Sequence, residues 1–154
     1  MGAWGVRALD SDEGLDVLDE FTDYSIENDK IKIGDLIEYF IEAELLPENP
    51  DEKDFLYDQT VMVLAELLEE YNEKGKIILE YEDDDEEEVE AEIADVSFDE
   101  SDINYLTEQI TDILEPKGEI HETYELWEDS ESFQEWKEHV LSLLETLKSI
   151  KENL

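Results

Sequence analysis

The stretch from Phe55 to Tyr71 constrains the fold of this chain more than any other. Its apolar residues recur at steps of three and four, which places them on one face of an α-helix. These residues are Tyr57, Val61, Leu64, Leu68 and Tyr71, flanked by Leu56, Val63 and Leu67. Pro50 and the acids after it are typical of a helix start, and Gly75 is typical of a helix end. We therefore predict a core helix that other helices cover.

Five further segments show helical spacing of their apolar residues. They cover about residues 12–22, 33–45, 97–114, a short turn over 119–127, and 133–154. Ser11 or Asp12 is the predicted cap of the first, and Ser97 with Glu100 is the predicted capping box of the third. The last carries a regular seam at Trp136, Val140, Leu143, Leu147, Ile150 and Leu154. The predicted fold is mainly α: one compact domain over residues 1–154, with five or six helices. Its predicted core contains Trp4, Phe40, Leu64, Leu68, Ile110, Trp136, Val140 and Leu143.

Charge limits the partners that this chain can have. Asp and Glu number 49 against 10 Lys and Arg, which gives a net charge of −39. Because Arg7 is the lone arginine and the lysines are scattered, we expect no exposed basic track and no direct contact with nucleic acid. The sequence lacks an apolar run long enough for a membrane and a basic start followed by an apolar segment, so we expect a cytoplasmic protein without a membrane partner. Its oligomeric state stays open.

The acids are densest between Glu80 and Glu92, where ten of thirteen residues are acidic. Such a run cannot be buried, so we predict an exposed acidic loop or short hairpin near residues 76–96, with strands over Lys76–Tyr81 and Val89–Val96 as the alternative. The densest part is a candidate interaction surface: Glu82, Asp83, Asp84, Asp85, Glu86, Glu87 and Glu88. A dense carboxylate cluster also binds divalent cations weakly, but nothing here indicates a specific metal site.

Candidate catalytic residues are few. His121 opens His-Glu-Thr-Tyr-Glu, which lacks the second histidine that a zinc protease helix needs, and His139 is predicted to be a solvated or edge residue. Asp10, Asp12 and Asp16 lack the glycine of a calcium loop and are better explained as helix cap and first turn. With no cysteine and no phosphate-binding glycine loop, we predict no cofactor, no metal and no catalytic residue. The sequence favours a non-enzymatic protein without deciding the matter.

Three stretches resemble a known family. Met-Gly-Ala-Trp-Gly, followed by Asp10, Asp12, Glu13 and Asp16, is similar to the opening of a bacterial family catalogued as domain of unknown function 4259. The Leu126-Trp127 region and the final amphipathic helix are similar as well. The residues that carry the resemblance are Gly2, Trp4, Gly5, Asp10, Asp12, Leu126 and Trp127. The resemblance implies a helical fold and brings no activity.

Three functions are compatible with these features. The first is a protein-binding domain, such as an immunity-type inhibitor, that docks on a basic protein, since opposite charge accelerates association. The second is a nucleic-acid mimic that presents rows of carboxylates to a DNA-binding protein. The third is an acidic domain with solvated helix faces, or an enzyme with an unrecognised carboxylate site.

Overall fold

Helix α3 (Phe55–Lys74) is the centre of the molecule. The computed structural model describes residues 5–28, 30–49, 52, 54–82 and 85–154, so the predicted start signals Pro50 and Asp51 lie outside the described residues. The Asp54 side chain caps the helix by accepting a hydrogen bond from the Leu56 amide. Gly75 ends it in the left-handed region, with φ of 73°. Every residue from Asp58 to Leu68 is buried, so α3 is surrounded on all sides and not along one stripe.

The described part of the chain contains five other α-helices: α1 (Asp12–Glu27), α2 (Ile33–Glu42), α4 (Glu100–Leu114), α5 (Glu122–Glu128) and α6 (Phe133–Glu152). Helices α1, α4 and α6 pack directly along α3, together with a 3-10 turn (Ala8–Asp10) that precedes α1. Strand content is small. The predicted fold class, a mainly α compact domain, is confirmed.

Side-chain caps also set the starts of α1 and α4. Ser11 caps α1, as predicted, by accepting a hydrogen bond from the Gly14 amide at 3.0 Å. The predicted capping box of α4 is wrong in its register, because Asp99 is the cap: its side chain accepts from the Asp102 amide, and the Asp102 side chain accepts from the Asp99 amide. Ser97 is unavailable as a cap since its backbone lies in a strand.

Four short strands complete the described structure. β1 (Ile31–Lys32) pairs in parallel with β4 (Val96–Ser97). β2 (Ile77–Glu82) and β3 (Glu88–Ile93) form an antiparallel hairpin in which Ile77 lies opposite Ile93. Of the two alternatives for residues 76–96, the structure therefore shows the hairpin, and the acids extend into its strands.

The core agrees with the predicted residues wherever the structure describes them. Seven of them are at most 1% exposed: Phe40, Leu64, Leu68, Ile110, Trp136, Val140 and Leu143. Trp4 lies outside the described residues. Trp127 stacks on Trp136 with ring centroids 5.8 Å apart, which fastens α5 to α6. The seam of α6 is buried up to Ile150, whereas Leu154 is 59% exposed because the helix ends at Glu152.

Candidate functional site

The β2–β3 hairpin separates its side chains into two chemically different faces. Successive residues of a strand point to opposite sides, so Ile77, Leu79 and Ile93 reach the core. The opposite side, called here the outer face, carries Ile78, Glu80, Glu82, Glu88, Glu90 and Glu92. All five glutamates of the outer face are exposed.

Like charges lie directly opposite each other on this outer face. Glu80 is the cross-strand partner of Glu90, and Glu82 is the partner of Glu88. Opposed like charges destabilise a β-ribbon. Among the described residues, the outer face has one ion pair, from Lys76 Nζ to Glu92 Oε1 at 2.8 Å, and this hydrogen bond raises the pKa of Lys76. The outer face thus keeps an excess of negative charge at a cost to stability.

The structure places the predicted interaction surface at the tip of this hairpin. Glu82 and Glu88 close the strands as an opposed pair, and Asp85, Glu86 and Glu87 lie exposed in the turn. Asp83 and Asp84 lie outside the described residues. Glu80, Glu90 and Glu92 lie on the same outer face as Glu82 and Glu88 because of the strand alternation, and the sequence-based choice of residues 82–88 did not include them. Among the residues that the structure describes, no group of three or more His, Asp or Glu side chains is arranged so that it could hold a metal ion.

His121 lies between two carboxylates in the interior. It is 4% exposed and precedes α5. Its Nδ1 lies 2.9 and 3.0 Å from the two carboxylate oxygens of Asp58 on α3, and its Nε2 lies 2.6 Å from Asp112 Oδ2 on α4. The Thr123 hydroxyl donates a second hydrogen bond to Asp58, at 2.7 Å. The His121 cluster, namely His121, Asp58, Asp112 and Thr123, therefore ties three helices together.

This geometry selects the charged form of His121. A neutral imidazole has one N–H and would turn a lone pair toward one carboxylate, whereas the imidazolium donates to both. Burial alone lowers the pKa of His121, but the hydrogen bonds to Asp58 and Asp112 outweigh it, so the pKa is raised. Both ring nitrogens are engaged, which leaves neither to act as a general base.

Glu66 forms the second buried carboxylate–histidine contact. Its carboxylate accepts hydrogen bonds from the Ala8 and Leu9 amides at 2.7 and 3.0 Å, and it lies 3.0 Å from His139 Nε2. Of the two positions predicted for His139, solvated or edge, the solvated one is wrong: the residue is partly buried, with 12% of its side chain exposed, because it packs against Glu66. These contacts attach the 3-10 turn and α6 to α3.

Both histidine contacts were missed by sequence reasoning, although one signal was available. A helix with apolar residues on all sides is buried on all sides, so Asp58 and Glu66 of α3 require interior partners. The chain has two histidines and few other cations to fill that need. Asp58 and His121 are too far apart in sequence for spacing alone to pair them.

The structure describes the surroundings of several residues that carried the family resemblance. A side chain on Gly5 would collide with the carboxylate of Asp10, which would have to turn away to make room. Asp12 lies in the first turn of α1, where the helix dipole favours an acid. Leu126 is partly exposed on α5, next to the buried Trp127. Gly2 and Trp4 lie outside the described residues.

A family model described as "Domain of unknown function (DUF4259)" matches residues 2–139 of the 154. The chain belongs to this family. In this DUF4259 chain the matched region contains the hairpin, the His121 cluster and Trp127, and it ends within α6. No curated protein and no solved structure is similar enough to count as a match. None of the helices in the described residues is both long and apolar enough to cross a membrane.

Proposed function

We propose that this DUF4259 chain is a non-enzymatic protein-binding domain that docks a basic protein on the outer face of its hairpin. The observation that carries the proposal is the opposition of Glu80 to Glu90 and of Glu82 to Glu88. Opposed like charges weaken the free ribbon, and a cationic partner placed over them removes the repulsion. The same charges accelerate association, since a field of one sign steers an oppositely charged partner.

The spacing of the carboxylates suits a partner with a compact basic patch better than a partner with a cleft that binds duplex DNA. Along one strand the outward side chains repeat at about 6.6–6.8 Å, and the two strands lie about 5 Å apart. The two backbones of B-DNA border grooves of about 6 and 12 Å. The ribbon is therefore narrower than a DNA duplex, which makes nucleic-acid mimicry the weaker proposal.

The buried carboxylates give less support to an enzymatic function. A catalytic base has to reach the proton that it abstracts. Asp58 is 5% exposed and already accepts hydrogen bonds from His121 and Thr123. The His121 cluster supports a structural role better than a catalytic one.

Stopped-flow association tests the proposal, with cytochrome c as a folded basic probe and lysine-acetylated cytochrome c as its uncharged counterpart. In the hairpin variant, Glu82, Glu88 and Glu90 become Gln. The matched control variant loses the same number of charges from exposed positions of α6, at Glu135, Glu138 and Glu145.

We expect the hairpin variant to associate about tenfold more slowly at low salt, and the control variant to change less than about twofold. The difference should shrink once the Debye length falls below about 10 Å, near 0.1 M salt. Equal slowing in both variants would show that net charge, and not the outer face, governs docking. Equally fast binding of acetylated cytochrome c would contradict the proposal as well.

A further inference from the structure

A groove of about 420 Å³ lies beside the hairpin. One wall is strand β2, which contributes Ile78, Leu79 and Glu80. The opposite wall is the end of α3, which contributes Glu69, Glu70, Glu73 and Lys74. Apolar side chains also line the groove, among them those of Leu9, Leu18 and Leu67, which together with Leu79 are called here the leucine base. The groove is thus bounded by a strand on one side and a helix on the other.

The groove runs along the backbone edge of β2 and not along one face of the hairpin. Ile78, Leu79 and Glu80 are consecutive, and consecutive strand residues point to opposite faces, so they share only an edge. β3 contributes no lining residue, which identifies the edge as the one turned away from β3. In the described part of the chain, no hydrogen bond ties the backbone of these three residues to a group outside the hairpin. Unpaired amide and carbonyl groups of such an edge are a template for another strand.

The charges around the groove select a basic occupant. Four carboxylates line its rim: Glu69, Glu70, Glu73 and Glu80. The two cations in the lining are engaged with acids, since Lys74 Nζ lies 3.4 Å from Glu70 and Arg7 Nε lies 3.9 Å from the buried Glu66. The rim is therefore complementary to lysine and arginine side chains, and the leucines below it suit apolar ones.

We propose that this groove takes an extended basic segment of the partner, which adds to β2 as a third strand. The inference rests on the proposed function, because it assigns a second contact to the same basic partner. Backbone hydrogen bonds to the β2 edge supply affinity, while alternate side chains enter the leucine base and meet the acidic rim. A third strand also strengthens a two-stranded ribbon that is marginal on its own.

The test uses the full chain and a synthetic peptide of about seven residues that alternates lysine with valine. At ~3.3 Å per residue, a peptide of this length spans β2. Two further peptides are N-methylated at alternate amides, one set at odd positions and the other at even positions. All three peptides have the same charge. Strand addition directs one set of amides toward β2 and the other toward solvent.

We expect the unmodified peptide to bind at low salt, one methylated peptide to bind about tenfold more weakly, and the other to keep its affinity. Among Ile78, Leu79 and Glu80, the amides that point away from β3, which alternate along the strand, should become protected from hydrogen exchange on binding. The inference is overturned if the unmodified peptide does not bind, or if both methylated peptides bind alike.

Two double variants separate this inference from the proposed function. Glu69→Gln with Glu73→Gln neutralises the helix wall of the groove, and Glu82→Gln with Glu90→Gln neutralises the outer face. We expect the groove variant to weaken peptide binding about fivefold and the outer-face variant to weaken it less than twofold. If the peptide responds only to the outer-face variant, strand addition fails while the docking proposal stands. If the peptides bind as expected but the outer-face variant leaves the association rate of cytochrome c unchanged, the docking proposal fails while strand addition stands.

Discussion

Replacing His121 by Gln should remove a cation from the interior while keeping a side chain of similar reach. The imidazolium of His121 offsets Asp58, which is 5% exposed, and also bonds Asp112. Removal of one partner of a buried ion pair costs about 3–5 kcal/mol, since the remaining charge stays desolvated. Asp58 retains the Thr123 hydroxyl, and Asp112 retains the amide of Lys117, so we expect a loss near the lower end, about 3 kcal/mol.

The loss of unfolding free energy in His121→Gln should become smaller as the pH rises. The pKa of His121 is raised in the folded protein, because hydrogen bonds to Asp58 and Asp112 outweigh burial, which alone would lower it. Its stabilising contribution is therefore fully present below the unfolded pKa of about 6.5 and is lost as pH rises through the folded-state pKa. The difference in unfolding free energy between wild type and His121→Gln should narrow at high pH.

Urea unfolding followed by circular dichroism between about pH 6 and pH 9, at fixed salt, measures this difference. Carboxylates are ionised throughout that range, so their mutual repulsion stays constant. Thr123→Val is the matched control, since it removes a neutral donor to Asp58 and should cost about 1–3 kcal/mol at every pH. A loss below about 1 kcal/mol for His121→Gln, or a difference that stays constant with pH, would refute the charged His121 bridge.

Three further variants test the packing and the hairpin. Leu143→Ala, at a fully buried position of α6, should cost about 2–5 kcal/mol in urea unfolding, and a loss well below 1 kcal/mol would mean that the core face is misassigned. Gly14→Ala should cost about 1–3 kcal/mol despite the better helix propensity of alanine, because its Cβ would collide with the Ala8 carbonyl oxygen; a gain in melting temperature would contradict this contact. Glu82→Gln combined with Glu88→Gln should stabilise the fold by about 0.2–1 kcal/mol, most at low salt, and destabilisation at low salt would show that the opposed pair is not repulsive.

Periodicity predicted the helices because it reports on contacts that recur at fixed steps along the chain. The seam of α6 illustrates this, since Trp136, Val140, Leu143 and Leu147 are all fully buried. Leu154 followed the same period but lies beyond the end of α6, because spacing specifies a face and not the place where the helix stops.

The hairpin was only half predictable. Its alternation of apolar and acidic residues is the signature of a ribbon with one buried face, yet the density of acids also favoured a loop. Burial of Ile77, Leu79 and Ile93 against the core outweighs the repulsion between opposed glutamates. The sequence carries no separate measure of those two energies, so it could not decide between them.

The His121 cluster lay beyond sequence reasoning because its members come from three different helices. His121 and Asp58 are separated by 63 residues, and their contact depends on how α3, α4 and α5 pack. The same limit applies to the groove, since the edge of β2 and the end of α3 become neighbours only in the folded chain.

A titration of the isotope-labelled chain with cytochrome c, followed through its backbone amide resonances at low salt, tests the docking proposal most directly. We predict that the largest shifts fall on β2 and β3, centred on Glu80, Glu82, Glu88 and Glu90, and disappear when salt is raised. Shifts spread evenly over exposed acids, or centred on α1 or α6, would contradict the assignment of the outer face as the docking surface.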